Sequence, residues 1–502
     1  MGPALVLWAW LTLCVVSRES PAPKPIAGGQ PFAVVWNVPT GRCWHRFGVG
    51  LPLGTYGIVE NLDGHFAGQN ITIFYKNQFG LYPYLSRQGI PRNGGIPQRV
   101  PLRTHLGRVA GDIRLRLRPA FHGLAVVDWE EWRPLWARNW GAKRIYRAAS
   151  EQWVWDRHPY LPAPQRLRLA QEEFEQAAQA IMEQTLLLGK TLRPRGLWGF
   201  YRFPDCFNNN WVKEANYTGR CRPAEVLRNN RLHWLWAASA ALYPSIYLPP
   251  TLPQGLRHRY VHYRLREALR VATFGATGLL PIIAYSRLSY RRSPRFLGPV
   301  RAMAGWAGLG LRRGHWWQHG KLRRGLLTAC GHGTVGGVVV TPSLCPGHVS
   351  ALQADLVHTI GESAALGAAG LVLWGDMSYS RSAESCASLR HYLVSTLGPY
   401  VANVTAATWE CSYRQCHGHG RCVRRQPHDL ASFLHLSNRL DEGLWAPFRC
   451  HCYRGWTGKG CTQRAKPSPS TSCLAPTHAH SFYGHNSLPP PDTCIPRGTW
   501  GR

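Results

Sequence analysis

With 502 residues, 45% of them hydrophobic, the chain is too long for one ordinary small domain and can bury a sizeable core, so a large domain with one or two appendages is expected. Its 59 Lys and Arg against 26 Asp and Glu leave a net charge of +33, a field that attracts polyanions. The basic residues are scattered and carry no zinc-finger, helix-turn-helix or RNA-binding signature, which argues against nucleic acid; an acidic glycan or an anionic membrane surface fits the charge equally well.

In chain order, the first element is an apolar run from Ala4 to Val16, closed by Ser17, Arg18 and Glu19. About a dozen apolar residues are too few to span a bilayer, so residues 1–20 read as a signal peptide, and no later stretch reads as a transmembrane helix. The expected localisation is the secretory pathway, with a secreted or lysosomal end point and cell-surface association as a further option. Export makes disulfides the expected fate of most of the 15 cysteines. Three sequons, at Asn70, Asn216 and Asn403, agree with export.

From about residue 31 to 400, short apolar β-like runs alternate with helical segments. The expected strands are Phe32 to Trp36, Ile71 to Tyr75, Leu124 to Val127, Leu197 to Tyr201, Ser245 to Tyr247, Leu280 to Tyr285 and Gly370 to Trp374. The expected helices include Pro164 to Leu188, where Phe174, Ala177, Ala178 and Ile181 recur at helical spacing, and His262 to Ala272. Such alternation implies a parallel barrel or a doubly wound sheet. Several strands finish in Asp, Glu, Tyr or Trp, which favours a barrel, whose C-terminal rim carries the chemistry.

Residues 298–352 break this pattern. They hold Gly at 12 of 55 positions, six Lys or Arg and no acidic residue, without sustained periodicity, and are expected to be disordered. A second module starts near Cys411, with spacing Cys411-x4-Cys416-x5-Cys422 and then Cys450-x-Cys452-x8-Cys461. It resembles an EGF-like module over 411–463. That resemblance implies the pairs Cys411–Cys422, Cys416–Cys450 and Cys452–Cys461. Zinc held with His417, His419 and His451 is the rival, disfavoured by export. The tail, 465–502, is rich in Pro, Ser and His and reads as disordered.

The chemistry centres on Gly123-Leu-Ala-Val-Val-Asp128-Trp-Glu130-Glu131-Trp-Arg133-Pro134. On a strand, the i, i+2 spacing puts Asp128 and Glu130 on one face, with Glu131 turned away. Two adjacent carboxyls cannot both ionise cheaply, so one is expected to hold its proton and serve as a donor. The rival reading is a solvated strand end.

Several long motifs, in order, carry a resemblance. They are Val126 to Trp140, Asn70-Ile-Thr-Ile-Phe-Tyr75, Arg195-Gly-Leu-Trp-Gly-Phe-Tyr201-Arg-Phe-Pro-Asp205-Cys206, Ala241-Leu-Tyr-Pro-Ser-Ile-Tyr247 and Leu371-Val-Leu-Trp374-Gly. Over roughly 31–297 and 353–463 the chain resembles the hyaluronidase family of glycoside hydrolases.

The resemblance implies a distorted (β/α) TIM-type barrel and endo-acting, retaining hydrolysis of hyaluronan, with chondroitin as a further substrate. The substrate's acetamide would be the nucleophile, Glu130 the proton donor and then the base. Asp128 would orient the acetamide and share a hydrogen bond with Glu130. Tyr201, Tyr247 and Trp374 would enclose the acetamide; Tyr75, Asp205 and Arg264 would line the cleft; Arg133 would hold the acid pair. The resemblance further implies Cys43–Cys386 and Cys206–Cys221, no metal or organic cofactor, hyaluronan as the partner, and a monomer. Against the family pattern, the run ending at Leu297 should continue almost directly into Asp355, so the intervening residues read as translated intron or a splice variant. Alternatives to the enzyme are a hyaluronan-binding protein with little turnover and an inactive splice product.

Overall fold

The computed structural model describes residues 20–276, 278–298, 354–436 and 443–465. Nearly all of the expected signal peptide and insertion, and the tail from 466, lie outside the described residues. So do Cys14, Cys330, Cys345, Cys473 and Cys494.

Among the described residues, seven parallel strands form the frame: β1 (Ala33–Asn37), β2 (Val59–Glu60), β3 (Ile71–Tyr75), β4 (Leu124–Asp128), β5 (Leu197–Phe200), β6 (Ile283–Arg287) and β7 (Gly370–Trp374). They pair as β2-β1-β7-β6 and β3-β4-β5. Two seams close the ring. At one, the segment around residues 241–246 bridges both sheets in parallel, Tyr201 to Tyr243 on one side and Leu242 to Ile282 and Ser245 to Tyr285 on the other. This segment was expected as a strand at Ser245 to Tyr247. Pro244 has no N–H to give, and only isolated bridges form. At the other seam β2 and β3 share no ladder. The buried Asn61 side chain takes its place: Nδ2 donates to Ile71 O (2.7 Å) and His65 O (2.8 Å), and Oδ1 accepts from the amides of Asn70 (3.2 Å) and Ile71 (3.1 Å).

Strand alternation sorts the side chains. Val35, Ile73, Val126, Tyr243, Tyr285 and Val372 fill the barrel, whereas Trp36, Phe74, Val127, Trp198, Phe200 and Leu373 face outward into the core under the helices. The helices include α1 (Leu102–Arg116), α2 (Arg144–Arg157), α3 (Ala163–Leu192), α4 (Pro223–Arg231), α5 (Gln254–Ala272) and α6 (Gly398–Cys416). On α3 the buried stripe runs Ala170, Phe174, Ala178, Ile181, Thr185 and Gly189, and a Cβ at Gly189 would sit 2.7 Å from the Trp198 ring. The α5 helix starts eight residues before its expected beginning, because its first turns bury Arg257, His258 and Tyr260, polar residues that hide the core face from a hydrophobicity pattern.

Among the described residues there are five disulfides: Cys43–Cys386, Cys206–Cys221, Cys411–Cys422, Cys416–Cys450 and Cys452–Cys461. Cys411 and Cys416 lie on α6, and the antiparallel strands β8 (Gly420–Arg424) and β9 (Phe448–Cys452) follow. This hairpin belongs to the same compact unit as the barrel. Buried Glu362 clamps it: Oε1 and Oε2 accept from both Arg424 nitrogens (3.1 and 2.8 Å) and lie 2.7 Å from His262 Nδ1 and His258 Nε2. Among the described residues, no helix is long and apolar enough to cross a membrane.

Candidate active site

The inward residues at the strands' C-terminal ends converge at the barrel mouth. Tyr75 is in register with Asp128, and Asn37 and Arg287 with Trp374. Tyr201 follows the end of β5, its amide donating to Val127 O (2.9 Å). Glu130 lies two residues past Asp128, beyond the end of β4, and its carboxylate meets Arg202 at the same mouth.

Around the pair stands an aromatic wall. Trp374 Nε1 donates to the Tyr75 hydroxyl (3.4 Å), and Phe66 and Tyr247 stack with Trp374, their centroids 6.5 and 6.4 Å away. Tyr201 lies 6.1 Å from Tyr247 and donates to Ser245 Oγ (3.4 Å). Arg287, absent from the sequence expectations, covers the Trp374 ring at 4.7 Å and pairs with Asp376 (3.3 Å). At the floor, Asp128 Oδ1, the Tyr285 hydroxyl and both polar atoms of the Asn37 amide are buried without a hydrogen-bond partner among the described residues. Buried polar atoms left unpaired are rare, and three residues of this kind at one barrel mouth mark a surface shaped for a polar guest.

The two carboxyls are driven apart. Burial, then the neighbouring Glu130, pushes Asp128 up to about 7, against the pull of Arg133 and Arg202. Burial alone would raise Glu130 too, but Arg202, Arg133 and Lys143 outweigh it and hold Glu130 below the usual carboxylate range. One raised partner was expected. It is Asp128, not the residue assigned as donor. The expected Asp128–Glu130 hydrogen bond is also not formed: Glu130 Oε1 accepts instead from Arg202 (2.7 Å). Lys143 donates to the carbonyls of Glu130 and Glu131 (2.7 Å for the latter), and Glu131 pairs with Lys76.

Two expected cleft residues serve as supports. Asp205 is only 9% exposed and sits behind the site, its Oδ2 accepting from Arg133 Nε (3.2 Å) and an Arg138 terminal nitrogen (3.0 Å). Burial would raise it, but Arg133, Arg138 and Arg202 bring it down to about 2. Arg133 in turn reaches to 3.9 Å from Glu130. Arg264 spends its guanidinium on Asn208 Oδ1 (2.9 Å), Ser245 O (2.9 Å) and Asn209 Oδ1 (3.2 Å), bracing the segment that carries Tyr247. Of the sequon asparagines, Asn70 and Asn216 are exposed; Asn403 is half-buried on α6 and bonded to the Leu436 backbone.

A carboxyl pair at a barrel's C-terminal rim, walled by rings that can cover a pyranose, defines a glycoside hydrolase. A family model described as hyaluronidase matches residues 21–301 and 348–444, two segments that bracket 302–347. The chain belongs to the hyaluronidase family. It is 48% identical over 469 residues to Hyaluronidase-3 of Homo sapiens, covering 93% of this chain and 98% of that protein. To Hyaluronidase-2 of Homo sapiens it is 40% identical over 488 residues, covering 92% of each. The crystal structure of bee venom hyaluronidase in complex with a hyaluronic acid tetramer aligns with a TM-score of 0.58 at 28% identity, covering 74% of this chain and 98% of that one.

Proposed function

We propose that this chain is an endo-acting hydrolase of hyaluronan that cuts β-1,4 N-acetylglucosaminidic bonds with retention. The observation that carries the reading is the Asp128–Glu130 pair at the C-terminal end of β4, beside Tyr75, Tyr201, Tyr247 and Trp374. In this reading the aromatic wall holds the N-acetylglucosamine ring, and the acetamide carbonyl oxygen attacks the anomeric carbon. The glycosidic bond breaks, and the leaving oxygen takes the Glu130 proton. Glu130, now a carboxylate, removes a proton from the water that opens the cyclic intermediate, and so regains its proton. Asp128, which in the free protein keeps its proton up to about pH 7, releases it to solvent as positive charge develops on the ring, and its carboxylate then accepts the acetamide N–H and stabilises that charge. Chondroitin, built on the same uronate alternation, is a second substrate of this reading. Five disulfides support a secretory-pathway enzyme, secreted or lysosomal, with the hairpin β8–β9 as an EGF-like appendage outside the site.

Purified protein incubated with hyaluronan between about pH 3.5 and 7 should generate new reducing ends. Glu130→Gln keeps size and polarity but cannot donate, and should lower the rate on the order of 10²–10⁴-fold with binding retained. Cleavage by the variant at the parental rate would remove Glu130 from the role. A second reading, a hyaluronan binder with little turnover, is favoured by the Arg202–Glu130 ion pair, which occupies the proton donor. Saturable binding without reducing ends at any pH would select it.

A further inference from the structure

Arg202 occupies a position whose backbone suits glycine. Its φ is +73°, in the left-handed region, and its amide is tied to Tyr243 O (2.8 Å) at the barrel seam. That backbone sends the side chain across the mouth to Glu130 Oε1 at 2.7 Å, with Nε 4.0 Å from Asp205. The other charges around Glu130 are otherwise engaged. Arg133, 3.9 Å away, is bonded to Asp205; Lys143 is spent on backbone carbonyls; Glu131 is paired with Lys76. Asp128 and the Tyr201 hydroxyl, the remaining titratable neighbours, bring no positive charge to the pair. Arg202 is thus the cation hydrogen-bonded to the carboxylate itself. Glu130 cannot both accept this bond at Oε1 and present a proton there to a glycosidic oxygen. The Arg202 side chain is 34% exposed, so it can reach a ligand in the cleft without unfolding anything.

We propose that Arg202 is a positioning and specificity residue: it holds Glu130 occupied in the free protein, and a uronate carboxylate of the substrate draws the guanidinium away and releases the proton donor. The inference rests on the reading of Glu130 as that donor. An acidic polymer then activates its own hydrolysis, whereas a polymer with the same acetamido sugars and no carboxylate leaves the lock closed. The competing anion balances the charge on Arg202, and the freed Glu130 carboxylate takes its proton from solvent.

The test uses the full chain, hyaluronan and carboxyl-reduced hyaluronan, with the variants Arg202→Gly, which suits the observed φ, and Arg202→Lys, which keeps the charge. Wild type should prefer intact hyaluronan in kcat as well as in KM. Arg202→Gly should narrow the kcat preference by about tenfold, the low end of what an adjacent opposite charge does to a carboxyl, and its rate should persist to higher pH. Arg202→Lys should fall between the two. An Arg202→Gly profile that matches wild type in pH and in kcat preference, or a change confined to KM, overturns the proposal. A second readout needs no turnover: the ¹³C carboxyl resonance of Glu130, assigned by its loss in Glu130→Gln, should titrate at higher pH in Arg202→Gly. If that resonance moves as expected while no variant cleaves hyaluronan, the lock stands and the catalytic reading falls. If it does not move, the lock is refuted whatever the activity.

Discussion

Asp205→Asn isolates one charge at almost constant volume, and its cost can be worked out. In the fold Asp205 accepts from Arg133 and Arg138, both under 10% exposed, and titrates at about 2 against an ordinary 3.8. That displacement is worth roughly 2 kcal/mol of folding free energy at neutral pH. Removing one partner of a buried ion pair typically costs about 3–5 kcal/mol, because the remaining charge is left without compensation. Here Glu225 still holds Arg138, with contacts at 3.3 and 3.4 Å, which limits the loss. An expected destabilisation of about 3 kcal/mol follows, a drop of roughly 4 °C in the melting temperature, because the unfolding entropy of so large a domain spreads a given free energy over few degrees. The effect should depend on pH in a defined direction. A carboxyl whose folded pKa is depressed stabilises fully above its unfolded value and loses that contribution as pH falls through 3.8 towards 2. Thermal melts of wild type and Asp205→Asn should therefore differ most at about pH 6 and converge only below about pH 2. A gap that stays constant across that range would show that Asp205 acts through shape or hydrogen bonding and not through its charge.

Asn61→Ala should open the seam between β2 and β3. It deletes four hydrogen bonds to buried or half-buried backbone groups, a loss of roughly 3 kcal/mol, and hydrogen exchange at the Ile71 amide should accelerate while that of β4 stays slow. Unchanged protection at Ile71 would mean that another group closes the ring. Glu362→Gln should loosen the hairpin β8–β9 from the barrel, since a side chain with no solvent exposure then faces Arg424, His258 and His262 without its charge. Limited proteolysis near Gly420–Arg424 should rise well before the barrel is cut. Because Arg424 and the two histidines hold Glu362 far below the usual carboxylate range despite its burial, the difference from wild type should shrink only in strong acid.

The sequence by itself determined the features that depend on near neighbours along the chain. Alternation along Leu124–Asp128 marked a strand ending in a carboxyl, and the i, i+2 spacing brought Glu130 to the same strand end. The apolar runs marked six of the barrel's strands, and the chain-long order of motifs identified the family. Each needs only a strand's period of two or a run of residue types, which survive whatever the rest of the chain does. The tertiary structure decided which carboxyl holds its proton, because the deciding charge arrives from elsewhere: Arg202 is 72 positions from Glu130, and neither its left-handed backbone nor its reach is written in the residues around it. The same holds for Asp205, which the family resemblance implied in the cleft and packing buried behind Arg133, 72 positions away. It holds too for Asn61, an unremarked loop residue until two strands that never pair converge on its amide. Periodicity is a property of a segment, whereas a pKa, a seam or a buried ion pair is a sum over groups that only the closed barrel brings within a few ångströms.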